Sequence, residues 1–168
     1  MNRYTVAVLV RNQFGVLNRV TSMFRRRQFN ISALTVSETE TSEYSRITVV
    51  FSGEEGAKQQ LINQLYKLPD VCSIKEFNAD NSINCELLLI KMENSTDSRD
   101  EIRSAADAFG AVIVDYSKDS ITLRLTDDSR KIDDFINLMR DYTILEICRT
   151  GSVSLEKGST TIRQTINF

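Results

Sequence analysis

The chain has 168 residues, with 21 lysines and arginines against 23 aspartates and glutamates, and it has no histidine. The net charge of -2 argues against a nucleic acid as the main partner, because phosphate backbones are bound by basic surfaces. The lack of histidine removes the commonest general base and the usual zinc ligand.

The apolar runs and the cysteines indicate the cellular compartment of the protein. The longest apolar runs, such as residues 87–90, are far too short to span a bilayer, so we expect a soluble, cytoplasmic protein with no membrane partner. Cys72, Cys85 and Cys148 are odd in number and lie among apolar residues. This pattern predicts reduced thiols in the core rather than a disulfide framework.

Hydrophobic periodicity in the first half predicts the element order βαββαβ. Strands are expected over residues 3–10, 31–37, 45–51 and 71–77. The first helix ends in three arginines, which suit a helix C-terminus, and the second helix ends before Pro69. Their predicted buried faces consist of Val16, Leu17, Val20, Met23 and Phe24 in the first helix and of Ala57, Leu61, Leu65 and Leu68 in the second.

The same order repeats in the second half. Strands are expected over residues 83–92, 111–116, 120–126 and 143–149, with the middle two forming a hairpin. One helix ends at Gly110, and the next is capped by Asp128 or Ser129. Their predicted buried faces consist of Ile102, Ala105, Ala106 and Phe109, and of Ile132, Phe135, Ile136 and Met139.

The chain is therefore predicted to be an α+β protein made of two tandem ferredoxin-like βαββαβ domains. The first domain is expected over residues 1–78 and the second over residues 83–158, with a polar linker at 78–82. Residues 159–168 are polar and are expected to fray.

Catalytic and metal-binding patterns are not found. The sequence contains no CxxC, GxGxxG or GxxxxGK[ST] motif. Carboxylates occur together at residues 38 and 40, 127 and 128, and 133 and 134, in turns or on exposed helix faces where solvated charge is the expected state. We therefore expect no catalytic residues and no metal or cofactor site in this chain.

The turn at residues 11–15 joins the first strand to the first helix. The free N–H groups of Gly15, Val16 and Leu17 are suited to an α-carboxylate. The side-chain carbonyls of Asn12 and Asn30 are candidate acceptors for an ammonium group, and Val16 and Ile31 are candidate lining residues. Residue chemistry alone favours the simpler alternative, in which Asn12 and Gly15 only form the turn and Asn30 only a tight helix-to-strand connection.

Two long stretches resemble a known family. VRNQFGVLNRVTSMFRRRQFNISALTVSET resembles the ACT-domain signature of the small regulatory subunits of acetohydroxyacid synthase, also called acetolactate synthase. LLLIKM, AVIVDYS, KIDDFINLM and ILEICRTGSVSLEKG resemble the C-terminal domain of that family, so the resemblance covers roughly residues 3–158.

The resemblance implies a non-catalytic subunit that binds and activates a large catalytic subunit and mediates feedback inhibition by a branched-chain amino acid, usually valine. It implies a homodimer formed through ACT domains, with the effector at the dimer interface, and it places thiamine diphosphate, Mg²⁺ and FAD in the catalytic subunit. The family's effector positions correspond to Asn12, Gly15, Val16, Leu17, Asn30 and Ile31, with Asn12 and Asn30 contributed by opposite protomers.

Two positions depart from the family pattern. Gln28 stands where the family usually has glycine, and if this position requires positive φ, the glutamine costs about 1 kcal/mol. Asp127 also stands in the place of a frequent glycine, which predicts a changed turn before the last helix.

Two other functions remain open at this stage. One is a stand-alone amino-acid sensor of the ACT type that acts on another enzyme or regulator, although no basic recognition helix is found. The other is a small acylphosphatase-like enzyme in which Arg11 would hold phosphate, although its glycine-rich phosphate cradle is missing.

Overall fold

A computed structural model describes residues 2–78 and 80–165. The fold is α+β, and the chain divides into two units. The first unit comprises the chain up to Ile83 together with the chain from Ser152 onward, and the second is Asn84–Gly151. Each unit has an antiparallel sheet with two α-helices packed on one face.

The first unit has the predicted βαββαβ order. Its sheet has the strand order β2-β3-β1-β4, with β1 paired antiparallel to β3 and β4. The elements are β1 (Asn2–Arg11), α1 (Val16–Arg26), β2 (Ile31–Glu38), β3 (Tyr44–Gly53), α2 (Glu55–Leu65) and β4 (Val71–Phe77).

The core of the first unit lies between this sheet and its helices. Phe51 is fully buried, and the rings of Phe24 and Phe29 meet it edge-on at centroid distances of 5.4 and 5.2 Å. One predicted core residue is placed differently, because Leu17 is 41% exposed while Val16 and Val20 on the same helix are buried. Leu17 lies beside Val36 of the outermost strand β2, where the edge of the sheet covers this side chain only in part.

The second unit repeats the arrangement with the strand order β6-β7-β5-β8. Asp128 caps α4, because its carboxylate accepts the N–H of Lys131 at 2.9 Å, and α3 ends at Gly110 with φ 75°. Both ends are therefore as predicted. The elements are β5 (Ser82–Glu93), α3 (Arg99–Phe109), β6 (Val112–Tyr116), β7 (Ser120–Asp127), α4 (Ser129–Met139) and β8 (Ile144–Arg149).

The segment after the second unit differs from the expectation. The sequence predicts a second domain that runs to residue 158 and a fraying tail over 159–168; in the structure β9 (Val153–Glu156) pairs with β5, and both β9 and a 3-10 helix (Ile162–Thr165) group with the first unit by their contacts. Lys75 on β4 pairs with Glu156 at 2.8 Å, and Arg46 on β3 donates to the carbonyl of Ser154 at 2.5 Å. These contacts hold the segment on the first unit, and the tail residues 166–168 lie outside the described residues.

Two asparagines of the predicted linker form hydrogen bonds with each other. The backbone N–H of Asn78 donates to Asn81 Oδ1 at 3.4 Å, and that of Asn81 donates to Asn78 Oδ1 at 3.3 Å. Ala79, which the predicted linker includes, lies outside the described residues. Strand β5 begins at Ser82, the last residue of the predicted linker.

The cysteines are free thiols, as predicted, but their expected location in the core is wrong. Cys148 is exposed on β8, and Cys72 and Cys85 are only partly buried. Cys85 and Cys148 alternate with the core residues of β5 and β8 and therefore face away from the packed helices, whereas Cys72 lies at the register irregularity of β4, and none of these locations is revealed by apolar neighbours in sequence. Within residues 2–78 and 80–165, no helix is long and apolar enough to cross a membrane.

Candidate functional site

The turn between β1 and α1 depends on the backbone of Gly15. This residue has φ 80° and ψ -5°, a left-handed conformation that glycine adopts without a steric penalty. It is the N-cap of α1, and its carbonyl accepts the N–H of Arg19 at 3.0 Å. A Cβ added at Gly15 would lie 3.3 Å from Nη1 of Arg19, the end of a flexible side chain, so the backbone conformation is what favours glycine.

The N–H groups at the start of α1 are only partly used. The N–H of Val16 donates to the carbonyl of Gln13 at 3.3 Å, so one of the three predicted anion donors is already engaged in the turn. Gly15 has no side chain with which to cap the helix, and no acidic residue occupies the first turn. The N–H groups of Gly15 and Leu17 thus retain the partial positive charge of a helix N-terminus.

Asn12 is fixed by three hydrogen bonds from its N–H groups. Its backbone N–H donates to the carbonyl of Glu43 at 2.8 Å, and its Nδ2 donates to the carbonyl of Ser42 at 3.0 Å and to Glu38 Oε1 at 3.1 Å. Both amide protons are therefore used, and in the described part of the chain no donor reaches Oδ1. This oxygen is an acceptor of the kind that an ammonium group requires.

A small apolar pocket of ≈ 80 Å³ opens beside the turn. A more open cavity of ≈ 290 Å³ adjoins it at residues 11–13 and is completed by Glu43 and Tyr44. Polar atoms of the turn and an apolar pocket thus occur side by side. The small pocket is lined by Val10, Arg11, Asn12, Gln13, Val16, Leu17, Val36, Ser45 and Ile47.

The structure separates the predicted site residues into two groups. Asn12, Gly15, Val16 and Leu17 lie together in the turn, whereas Asn30 and Ile31 lie at the start of β2. The far end of β2 is Glu38, which contacts Asn12. Glu38 lies seven positions after Ile31 along the strand, a span of roughly 23 Å, so the two groups do not meet within one chain.

The position of Asn30 depends on the residues before it. Gln28 has φ 58°, the only positive φ among the described non-glycine residues. The position where the family usually has glycine therefore does require a positive φ in this chain. Phe29 packs on Phe51 and fills the space beside Gly53, where an added Cβ would lie 2.5 Å from the Phe29 ring. The chain therefore enters β2 in a fixed direction despite the cost at Gln28.

The sheet edge next to the turn carries exposed apolar side chains. Strand β2 is the outermost strand on its side of the sheet. Leu34 is 36% and Val36 is 42% exposed, and both lie on the sheet face that carries the helices, because they pair with the core residues Val49 and Ile47. With Leu17 they form the β2 edge patch, a surface typical of contact with another chain.

The carboxylate clusters do not form a metal centre. Glu40 pairs with Arg163 at 3.0 Å, Lys131 with Asp127 at 2.6 Å, and Arg149 with Asp133 at 2.6 Å. In the described ranges no group of three histidine, cysteine, aspartate or glutamate residues is placed to hold a metal ion. In the turn before α4, the carboxylate of Asp127 accepts the backbone N–H of Asp128 and pairs with Lys131. These two contacts stabilise the turn with aspartate at the position where the family often has glycine.

Some residues at the turn were not predicted from the sequence. Glu38 and the segment 39–44, which supports Asn12, lie in the sequence between two predicted strands and carry no motif that would mark them. Their role follows from the pairing of Arg11 with Tyr44 across β1 and β3. A strand register of this kind, once assumed, would have placed residues 38–44 beside Asn12.

The fold and the glycine-initiated turn together define an ACT-domain protein with a second ferredoxin-like unit. Family models agree with both parts: the small-subunit-like ACT domain of acetohydroxyacid synthase matches residues 6–73, and the small subunit of acetolactate synthase matches residues 85–158.

Individual relatives extend over nearly the whole chain. The protein named probable acetolactate synthase small subunit of Archaeoglobus fulgidus is 43% identical over 157 residues, which are 94% of this chain and 98% of the relative. The acetolactate synthase small subunit of Mycolicibacterium smegmatis is 40% identical over 155 residues, 92% of this chain and 91% of the relative.

A solved structure of the acetolactate synthase small subunit from Thermotoga maritima superposes with a TM-score of 0.86 at 31% identity and covers 95% of this chain and 100% of that one. The chain belongs to the acetolactate synthase small subunit family.

Proposed function

We propose that this chain is a regulatory subunit that binds and activates the catalytic subunit of acetolactate synthase and mediates feedback inhibition by a branched-chain amino acid, with valine as the expected effector. Relatives of nearly equal length that are named small subunits support the subunit role. The observation that carries the effector role is the juxtaposition of unused N–H groups, the Asn12 carbonyl and a small apolar pocket.

Each part of the turn fits one group of the amino acid. The α-carboxylate is bound by the N–H groups of Gly15 and Leu17 at the start of α1. The ammonium group is bound by Oδ1 of Asn12, and the aliphatic side chain enters the pocket lined by Val16 and Val36. The pocket of ≈ 80 Å³ favours a short branched side chain over an aromatic one.

A second copy of the chain supplies Asn30 and Ile31. Two β2 strands paired antiparallel about an axis between Leu34 and Thr35 bring Ile31 of one copy opposite Glu38 of the other. Glu38 contacts Asn12, so Asn30 of the second copy approaches the turn. The same pairing covers the β2 edge patch, which supports the homodimer as the state that binds effector.

Inhibition follows by a population shift. The effector bound across two chains stabilises one arrangement of the dimer, and this arrangement supports the catalytic partner less well. Thiamine diphosphate, Mg²⁺ and FAD are assigned to that partner in this proposal. The effector must therefore bind the two dimer arrangements with different affinities.

Calorimetry tests the effector site directly. Wild type is titrated with valine, leucine and isoleucine, and Asn12→Ala and Gly15→Asp are titrated in parallel. Gly15→Asp is expected to abolish binding, because it adds negative charge and a strained Cβ at the carboxylate site. Unchanged affinity in both variants contradicts the site, and the absence of binding in wild type contradicts the effector role.

Activity of the reconstituted enzyme tests the subunit role. The chain is expected to co-purify with an acetolactate synthase large subunit and to raise its rate, and valine is expected to lower the rate of the complex. A rate that does not change on addition of the chain contradicts the proposal.

A further inference from the structure

The turn at residues 39–44 supports the candidate effector site through its hydrogen bonds with Asn12. Two of its backbone carbonyls, those of Ser42 and Glu43, accept hydrogen bonds from Asn12 at 3.0 and 2.8 Å. The turn therefore determines where the Asn12 amide points. Any motion of these two carbonyls moves the acceptor that the proposed ammonium site requires.

This turn has little packing of its own. Its residues at positions 40, 42 and 43 are exposed. Thr39 closes the turn, since its N–H donates to the carbonyl of Tyr44 at 3.1 Å and its hydroxyl donates to the carbonyl of Thr41 at 2.9 Å. Exposed backbone hydrogen bonds open easily, so an external contact has a large influence on the order of such a segment.

Arg163, on the 3-10 helix of the C-terminal segment, supplies that contact. Its Nε lies 3.0 Å from Glu40 Oε1, its Nη2 donates to Thr41 Oγ1 at 2.5 Å, and its guanidinium carbon lies 5.3 Å from the ring centroid of Tyr44. One planar cation thus holds three residues of the turn at once. A guanidinium is suited to this task because it stacks on the aromatic ring while its N–H groups remain available.

The C-terminal segment makes ion pairs on both sides of an arch. Between Leu155 and Arg163 it arches over the sheet and encloses a cavity of ≈ 500 Å³, whose floor includes Leu9 and Phe77. At the near end of the arch, Glu156 pairs with Lys75 on β4. At the far end, Arg163 makes the contacts with the turn.

We propose that Arg163 is a positioning residue of the effector site: it orders the turn 39–44 and thereby fixes Asn12 for effector binding. This inference rests on the proposed effector role of Asn12. It extends the site to a residue that lies more than 150 positions from Asn12 in the sequence. The contact acts on the site through the turn and requires no contact between Arg163 and the ligand.

Arg163→Gln tests the role, with Lys75→Gln as the matched control. Both variants remove an ion pair of the C-terminal segment, but only the first removes a contact with the turn. Backbone amide exchange at Asn12 and Tyr44 is measured by NMR without effector, and valine affinity by calorimetry. Urea unfolding of each variant separates local from global effects.

We expect Arg163→Gln to accelerate exchange at both amides and to weaken valine binding roughly fivefold or more, with little change in the unfolding midpoint. Lys75→Gln is expected to leave both amides protected and the affinity unchanged. Equal valine affinity in wild type and Arg163→Gln overturns the inference, as does an equal loss in Lys75→Gln. If wild type binds no branched-chain amino acid, the effector proposal itself fails.

Discussion

Arg149 on β8 donates from Nε to the carboxylate of Glu86 at 2.5 Å, and Glu86 is only 1% exposed. Ser129 also donates to this carboxylate, and Arg149 reaches Asp133 at 2.6 Å with a second nitrogen. Burial lowers the pKa of Arg149, but its bonds to the two carboxylates outweigh this effect and raise the pKa overall. The contacts of Arg149 and Glu86 thus join β5, β8 and α4 of the second unit.

Replacing Arg149 with methionine is expected to destabilise the chain by about 3 kcal/mol, because Glu86 would be left as a buried charge with no cation. Urea unfolding measures this loss. Lys91→Met is the control, since Lys91 faces Glu146 at 3.9 Å in a solvated position and should contribute less than about 1 kcal/mol. Similar losses in the two variants would contradict the role of the Arg149 pair.

Gln28→Gly is expected to stabilise the chain by about 1 kcal/mol, because glycine adopts φ 58° without the steric cost that glutamine pays. Gly110→Ala is the opposite control: nothing lies within 4 Å of its added Cβ, so the loss expected there comes from φ 75° alone. Chemical unfolding measures the change in the free energy of unfolding for both variants. A loss of stability in Gln28→Gly would show that the glutamine side chain makes a compensating contribution.

Acid should weaken the contact between Glu55, Tyr4 and Lys58. Hydrogen bonds from Lys58, at 2.6 Å, and from Tyr4, at 2.9 Å, lower the pKa of Glu55 below its ordinary value of 4.5. A lowered pKa in the folded state means that the stabilisation is complete above pH 4.5 and is lost as the pH falls through the folded-state pKa.

The stability difference between wild type and Glu55→Gln is the measurement that reports this contact. It should be constant from pH 7 to pH 5 and should shrink below pH 4.5. Glu54→Gln is the neighbouring control, because the Glu54 side chain makes no capping hydrogen bond. A difference that grows on acidification would contradict the assignment.

Leu34→Asp is expected to convert a dimer to monomers, because it places a charge on the β2 edge patch, where the proposed second copy binds. Sedimentation equilibrium measures the change, and the unfolding free energy of the monomer should be little affected because Leu34 is already partly exposed. Leu138→Asp is the matched control, because it introduces the same charge on the exposed surface of α4. Dimers that persist in Leu34→Asp would contradict pairing through β2.

The order of the elements was predictable from the sequence because it is written in local periodicity. The face of α1 formed by Val16, Val20 and Phe24 repeats at helical spacing, and the conformation of Gln28 followed from the glycine expected there. The residues that carry such a signal lie close together in the sequence. The helices and strands can therefore be predicted without knowledge of the tertiary structure.

Long-range contacts were not predictable in this way. The polar composition after Gly158 predicted a frayed tail, yet Arg163 finds Glu40 and Tyr44 more than 110 residues away. The same limit explains Leu17, whose helical position is apolar although the edge of the sheet covers it only in part. In the candidate site, the turn at Gly15 was predictable, whereas its support by residues 38–44 required the strand register.

The return of the C-terminal segment to the first unit has a consequence for synthesis. A domain formed from one continuous stretch can fold on the ribosome as soon as that stretch has emerged, before later residues are made. Here β9 and Arg163 are translated after all of Asn84–Gly151, so the support of the Asn12 turn is completed only after the second unit has been synthesised. A nascent chain that has reached Ile83 carries the ACT sheet without that support, so a translation product that stops before Arg163 would lack the contact that is proposed to order the candidate effector site.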